Sequence, residues 1–288
     1  MVDADVSRST TDATLDAANP AIGPHPSTPD VPNPIALLSA ARRPVFFHAH
    51  PDDETLATGA LILDLAGHAQ VGLVTATRGE RGEVVAGPLA VLAGTPTLAA
   101  HRHTELVNAC AALGVATRAY LGEPPARAAG QPPRWYRDSG MRWVTPDLAG
   151  PSDDAGPDAL TAAPVAEAAA DLAAFLAHVG ADALVSYDAD GGYGHPDHVA
   201  CHRIALAASA LAGVRFVAVV SPTRRDEADP RQGVWRLAEH TGRLRQALAC
   251  YPSQFTLEGD AVVHSGGQRQ PIVADVVLES LPGDGSLT

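Results

Sequence analysis

The sequence predicts an α/β fold, a mostly parallel sheet with helices on both faces and a small C-terminal β element. Two observations carry this. Short, continuously apolar runs such as VFFHA (45–49), VGLVTAT (71–77) and ALVSYD (183–188) read as strands buried on both faces. Longer segments with three- and four-residue apolar steps lie between them, and regular alternation of the two is the signature of crossover βαβ units. The chain has 288 residues, 46% of them apolar, which suits one large domain.

Residues 1 to 34 are rich in Pro, Asp, Ser, Thr and Ala without apolar periodicity, and read as a disordered tail. Residues 35–288 read as one domain. Its first strand, 45–49, runs into a helix over Glu54–Ala66, and a second strand follows at 71–77. Leu98–Leu113 is a helix with Leu106, Cys110 and Leu113 on one face. A third strand is RAYLG (118–122). Helices at Val165–Val179 and Pro196–Leu211 flank the strand 183–188. VRFVAVV (214–220) is a further strand, followed by a helix over Val234–Leu248. From Tyr251 onward weak alternation suggests the small β element. The order is Rossmann-like. The Pro- and Gly-rich stretch from Gly122 to Leu160 is long enough to be functional or mobile.

The formal charge is −13, from 33 acidic residues against 20 basic ones, and all the basic residues are arginine. Such a surface repels phosphate backbones, which argues against nucleic acid and anionic membrane as partners. Apolar runs break well before the length of a membrane span. The acidic N-terminus lacks the basic and apolar regions of a secretory signal. Cys110, Cys201 and Cys250 are odd in number and far apart, which points to a reduced, cytoplasmic setting.

Two turns share one construction. The first strand ends in His50-Pro51-Asp52-Asp53-Glu54, and the strand 183–188 leads through DADGGYG into His195-Pro196-Asp197-His198. Both read strand, His-Pro-Asp, helix. Loops at the carboxyl ends of parallel strands share one edge, so the two turns can face each other across a crevice. Pro and an acidic residue at a helix start are ordinary. Helix caps favour Ser, Thr, Asp or Asn, so capping leaves the histidines unexplained. Imidazoles with a carboxylate suit Zn²⁺, or another divalent metal such as Fe²⁺. A second carboxylate can accept a proton from water, and a further histidine can stabilise an oxyanion on an attacked carbonyl.

AHPDDE (49–54) with GHPDH (194–198) resembles the LmbE-like (PIG-L) zinc-dependent de-N-acetylases. GERGEV (79–84), ALGV (112–115), RDSGM (137–141) and GGYGHPDHV (191–199) are similar, in the same order, to the branch that deacetylates N-acetylglucosaminyl-inositol in mycothiol biosynthesis. The resemblance implies one zinc ion held by His50, Asp53 and His198, with Fe²⁺ as an alternative. It implies that Asp52 is the general base acting on a metal-activated water and that it later protonates the leaving amine. His195 would act as an imidazolium on the acetyl carbonyl, with Asp197 orienting it and raising its pKa. Tyr193 would approach the tetrahedral intermediate. Arg102, Glu83, Asp138 and Met141 would line the amino-sugar site, where Trp135 and Tyr136 either cover the ring or anchor the loop.

Within this family the neighbouring readings are a mycothiol S-conjugate amidase and a deacetylase of another amino sugar. The amidases tend to carry a lysine just after HPDDE, whereas this chain has TLATG and no lysine. A nucleotide-binding module would need a Gly-rich turn after the first strand, where HPDDE places carboxylates instead. His48 alternates with His50 and reads as packed on the opposite face. The stretches 86–102 and 142–164 depart from the branch and bear on the sugar or aglycone pocket.

Overall fold

The computed structural model describes residues 33–146 and 148–281. The tail expected over residues 1 to 34 lies, up to residue 32, outside the described residues. Asn33 caps α1 (Pro34–Ala40), its side chain accepting from the Ile35 and Ala36 amides. Then follow β1 (Pro44–His48), α2 (Asp53–Leu65), β2 (Gly72–Thr75), α3 (Leu98–Leu113) and β3 (Thr117–Tyr120). A hairpin, β4 (Met141–Thr145) and β5 (Leu148–Pro151), precedes α4 (Val165–Val179) and β6 (Ala183–Tyr187). The one-turn α5 (Gly191–Gly194) leads into α6 (Pro196–Ala212), β7 (Arg215–Val219), β8 (Gln232–Trp235) and α7 (Thr241–Leu248). Last come β9 (Phe255–Glu258), β10 (Ala261–His264), β11 (Arg269–Pro271) and β12 (Val276–Ser280).

The main sheet has the order β3-β2-β1-β6-β7-β12-β8. Its first five strands are parallel, and β12 runs antiparallel between β7 and β8. Strands β9 to β11 form the small antiparallel sheet expected near the C-terminus. The fold class is therefore as the sequence predicts. One helix is not. The expected helix over Val234–Leu248 starts only at Thr241, because Val234 and Trp235 pair with Val277 and Val276 of β12. The hairpin β4–β5 also occupies part of what reads in sequence as a loop.

Both faces of the sheet are covered, as continuous apolar strands require. Along β1, Phe46 joins the core formed with α2, α3 and α7, while Val45 and Phe47 join the core under α4 and α6. Both phenylalanines are fully buried, and each such burial contributes roughly 1.5–3 kcal/mol. The strand order reverses between β1 and β6, since the chain adds β2 and β3 on one side before returning to place β6 on the other. Ligands in open α/β sheets bind beyond the carboxyl ends of the strands at such a point. The two His-Pro-Asp turns follow β1 and β6.

Candidate metal centre and active site

After β1 the backbone turns sharply at Asp52, which has φ 103° and is the one positive-φ non-glycine among the described residues. A β-carbon in that region costs on the order of 1–3 kcal/mol, a strain tolerated where surroundings over-determine it. Asp52 stands at the N-cap of α2, yet its carboxylate makes no capping bond. Its amide donates to Glu54 Oε2 (3.1 Å), while Glu54 Oε1 accepts from the Tyr251 hydroxyl (2.6 Å) and from Thr55. Glu54 and Tyr251 are fully buried, so this network holds the turn from beneath.

The Asp52 carboxylate meets the Arg102 guanidinium at 3.2 Å. Arg102 is buried on α3 and also donates to the carbonyls of Gly79 (2.7 Å) and Pro51 (2.6 Å). It fits there because residue 79 is glycine: a β-carbon at that position would lie 2.0 Å from Arg102 Nη1. Burial, with the neighbouring Asp53 and Glu54 carboxylates, pushes the Asp52 carboxyl up to about 8, against the lowering effect of Arg102.

The three expected metal ligands meet at one atom. Asp53 Oδ2 lies 3.2 Å from His50 Nδ1 and 3.2 Å from His198 Nε2. His198 Nδ1 faces the Gly191 carbonyl (3.1 Å), which can only accept, so this nitrogen carries the ring proton. His198 Nε2 then holds a lone pair, buried and without a hydrogen-bond partner. His50 is built alike: its Nε2 faces Asp197 Oδ2 at 3.1 Å and Asp138 Oδ1 at 3.8 Å, leaving Nδ1 toward Asp53. Lone pairs of two imidazoles facing a carboxylate oxygen repel unless a second proton or a metal cation intervenes. The donor set fits a divalent metal of zinc type. Despite burial, His198 and His50 hold the Asp53 carboxyl well below the usual range. Despite burial, Asp138, Asp197 and Asp53 hold the His50 imidazole well above its own.

His195 stands at the start of α6. It does cap a helix: Nδ1 accepts the Asp197 amide at 3.1 Å, at the N-cap of α6. An accepting Nδ1 leaves the proton of the neutral ring on Nε2. Burial first, then the neighbouring His50 and His198 rings, lower its pKa to about 2. The Asp197 carboxylate makes no hydrogen bond to this ring, though its charge raises the His195 pKa against the effect of burial. That carboxylate, fully buried, accepts from His50 Nε2, from the Ser139 amide (2.9 Å) and from the Ser139 hydroxyl. The helix start turns the Asp197 amide toward His195 and its side chain toward His50.

The remaining expected residues divide. Tyr193, 42% exposed, lies with its ring centroid 5.4 Å from that of His198 and 6.0 Å from that of His195. Asp138 is buried beside His50, accepting from the Arg81 amide (3.2 Å) and the Gly140 amide (2.8 Å). Met141 opens β4, half-buried, and Glu83 is exposed, its Oε2 accepting from Ser265 (2.6 Å). Neither of these two joins the ligand cluster. Tyr136 anchors its loop, fully buried and donating to Asp171 (2.8 Å), and the Trp135 ring carries Arg78 and Arg137 at 4.4 and 4.3 Å. His48 is packed as expected, its Nε2 on the Thr58 hydroxyl at 2.9 Å.

Sequence reasoning missed Ser139, which sits inside the quoted RDSGM, and Tyr251, which has no local signal. No helix among the described residues is long and apolar enough to cross a membrane.

A family model described as PIG-L, GlcNAc-PI de-N-acetylase, matches residues 45–209, more than half of the chain. The chain is 44% identical over 179 residues to a 1D-myo-inositol 2-acetamido-2-deoxy-alpha-D-glucopyranoside deacetylase of Kineococcus radiotolerans, covering 62% of this chain and 47% of that protein. A protein of the same name, numbered 1, from Catenulispora acidiphila is 44% identical over 187 residues, covering 64% and 53%. The chain thus spans about half the length of these relatives. A crystal structure titled as a deacetylase-teicoplanin complex in the biosynthesis pathway of teicoplanin shares the fold, with TM-score 0.55 and 21% identity over 83% of this chain and 97% of that one.

Proposed function

Since the chain belongs to the PIG-L de-N-acetylase family, we propose that it is a zinc-dependent hydrolase removing the acetyl group from N-acetylglucosaminyl-inositol. Ferrous iron is the alternative metal. The carrying observation is the convergence of His50 Nδ1 and His198 Nε2 on Asp53 Oδ2, each at 3.2 Å, beside the strained Asp52. His50, Asp53 and His198 would hold the metal. When bound it supplies Lewis acidity toward water and the acetyl carbonyl.

The protein's own groups do the rest. Asp52 is left uncapped and only half committed to Arg102, so one carboxylate oxygen takes the proton of the attacking water. A carboxyl pushed toward neutrality by burial is a stronger base than an exposed one, and it returns that proton to the leaving nitrogen. His195, with a proton on Nε2, donates a hydrogen bond to the oxygen that gains charge. Tyr193 reaches the same oxygen from the glycine turn. Asp197 holds His50 in orientation, the carboxylate–imidazole arrangement common behind metal ligands. Asp138, Arg102 and Met141 line the amino-sugar side, with Glu83 further out. The partner is a small-molecule amino sugar, and the relatives' shared name supports the inositol aglycone. The three free cysteines fit a cytoplasmic setting.

The test is primary-amine release by zinc-loaded protein from N-acetylglucosaminyl-inositol, N-acetylglucosamine and a mycothiol conjugate. Preference for the first supports the proposal. Cleavage of the conjugate alone would replace it with an amidase.

A further inference from the structure

The glycine turn between β6 and α6 carries His198 and Tyr193, and its backbone is unusual. Gly191 has φ 64°, and Gly192 has φ 75° with ψ −93°. A β-carbon on Gly191 would lie 2.8 Å from the Val199 amide nitrogen and 2.9 Å from His198 Cβ. Glycine permits this conformation but does not select it, because the same freedom opens many others. Something outside the turn must select it.

Two buried side chains do so. Asp188, fully buried just past the end of β6, accepts at Oδ1 from the Asp190 and Gly191 amides (both 3.2 Å) and from the Ser221 hydroxyl. Its Oδ2 accepts from the Ser221 amide (2.6 Å) and pairs with Arg224 Nη1 at 3.3 Å. Ser221, buried beyond the end of β7, turns its oxygen back to accept the Gly192 amide at 2.8 Å. The Gly191 carbonyl in turn receives His198 Nδ1 at 3.1 Å. A continuous path therefore runs from Arg224 through Asp188 and Ser221 into the turn, and from the turn to a metal-facing imidazole.

We propose that Asp188 and Ser221 are positioning residues that clamp the Gly191–Gly194 turn and thereby fix the His198 tautomer and the placement of Tyr193. This rests on the reading of His198 and Tyr193 as active-site groups. The bonds to the turn end on the amides of Asp190, Gly191 and Gly192 and not on the hydrophobic core. Ser221→Ala removes the acceptor of the Gly192 amide and leaves Asp188 to hold Gly191. Tyr193, one residue beyond the freed amide, is then the group that loses its place.

The test uses full-length, zinc-loaded protein, parent and Ser221→Ala, which deletes one oxygen and creates no clash. Hydrogen exchange is followed by mass spectrometry on peptides spanning residues 188–195, with the β9–β10 hairpin as reference. The expected result is about tenfold or more faster exchange in the 188–195 peptide with the hairpin unchanged, because the Gly192 amide loses its buried acceptor and Asp188 loses the Ser221 hydroxyl donor. Turnover falls about tenfold or more with KM within about twofold and zinc stoichiometry intact. Unchanged exchange at 188–195, or equal acceleration in both peptides, overturns the clamp. Locally faster exchange with turnover within about twofold of the parent overturns its catalytic part. If the parent releases no amine from N-acetylglucosaminyl-inositol, the substrate assignment fails, and the exchange comparison still decides the clamp.

Discussion

Replacing Asp197 with asparagine separates two roles for one carboxylate. In the structure the side chain lies 3.1 Å from His50 Nε2 and takes both the amide and the hydroxyl of Ser139, while His195 is held by the Asp197 backbone. Asparagine keeps the shape and one acceptor but removes the charge that complements the His50 ring. A hydrogen bond to a charged group contributes about 1.5–3 kcal/mol. Each 1.4 kcal/mol is tenfold, so zinc affinity falls roughly 10- to 150-fold. Losing a partner behind a metal-bound histidine typically costs 10- to 100-fold, which brackets the same value. Zinc dissociation constants of parent and Asp197→Asn, measured by competition with a chromophoric chelator, read this directly. A 30-fold loss would also lower holo-protein stability at fixed zinc by about 2 kcal/mol, or roughly 4–8 °C in Tm. An affinity within about twofold of the parent, with turnover down a hundredfold, would refute the reasoning. It would return Asp197 to the role of orienting His195.

Asp52→Asn keeps stoichiometric zinc and loses about 10²- to 10⁴-fold in turnover, checked by metal analysis beside amine release. His198→Ala, by contrast, loses zinc under a chelator concentration that the parent withstands, because it removes one of the three converging donors. Chelator-treated parent protein loses amine release and recovers it on zinc addition. Tyr251→Phe deletes the donor to buried Glu54 (2.6 Å) and costs about 2 kcal/mol, read as a Tm lower by roughly 4–8 °C with zinc stoichiometry unchanged.

The apolar runs at Val45–Ala49 and Ala183–Tyr187 specify buried parallel strands by local patterning alone, and the repeated His-Pro-Asp signature marks the two turns that matter. Local sequence also carries the start of α6 at Pro196 and the metal-ligand types, since these depend on residues a few positions apart. The strand at Gln232–Trp235 was not legible, because Val234 and Trp235 become strand only by pairing with β12, more than 40 residues later. The partners of the turns are of the same kind. Tyr251 reaches Glu54 and Ser221 reaches Gly192 from segments remote in sequence, and no local pattern encodes a hydrogen bond that the sheet order creates.

Asp197 shows the limit most sharply. Its place in HPDH marks it as part of the site, but which ring its carboxylate touches depends on how α6 leaves β6. That helix start presents the backbone amide to His195 and the side chain to His50. The sequence by itself determined the fold class, the two turns and the chemical types of the donors, because periodicity and short-range spacing are local properties. Only the tertiary structure decided which lone pairs face one another, which ring the Asp197 carboxylate meets and which distant side chains hydrogen-bond to the turns, because those follow from three-dimensional packing across the strand-order reversal between β1 and β6.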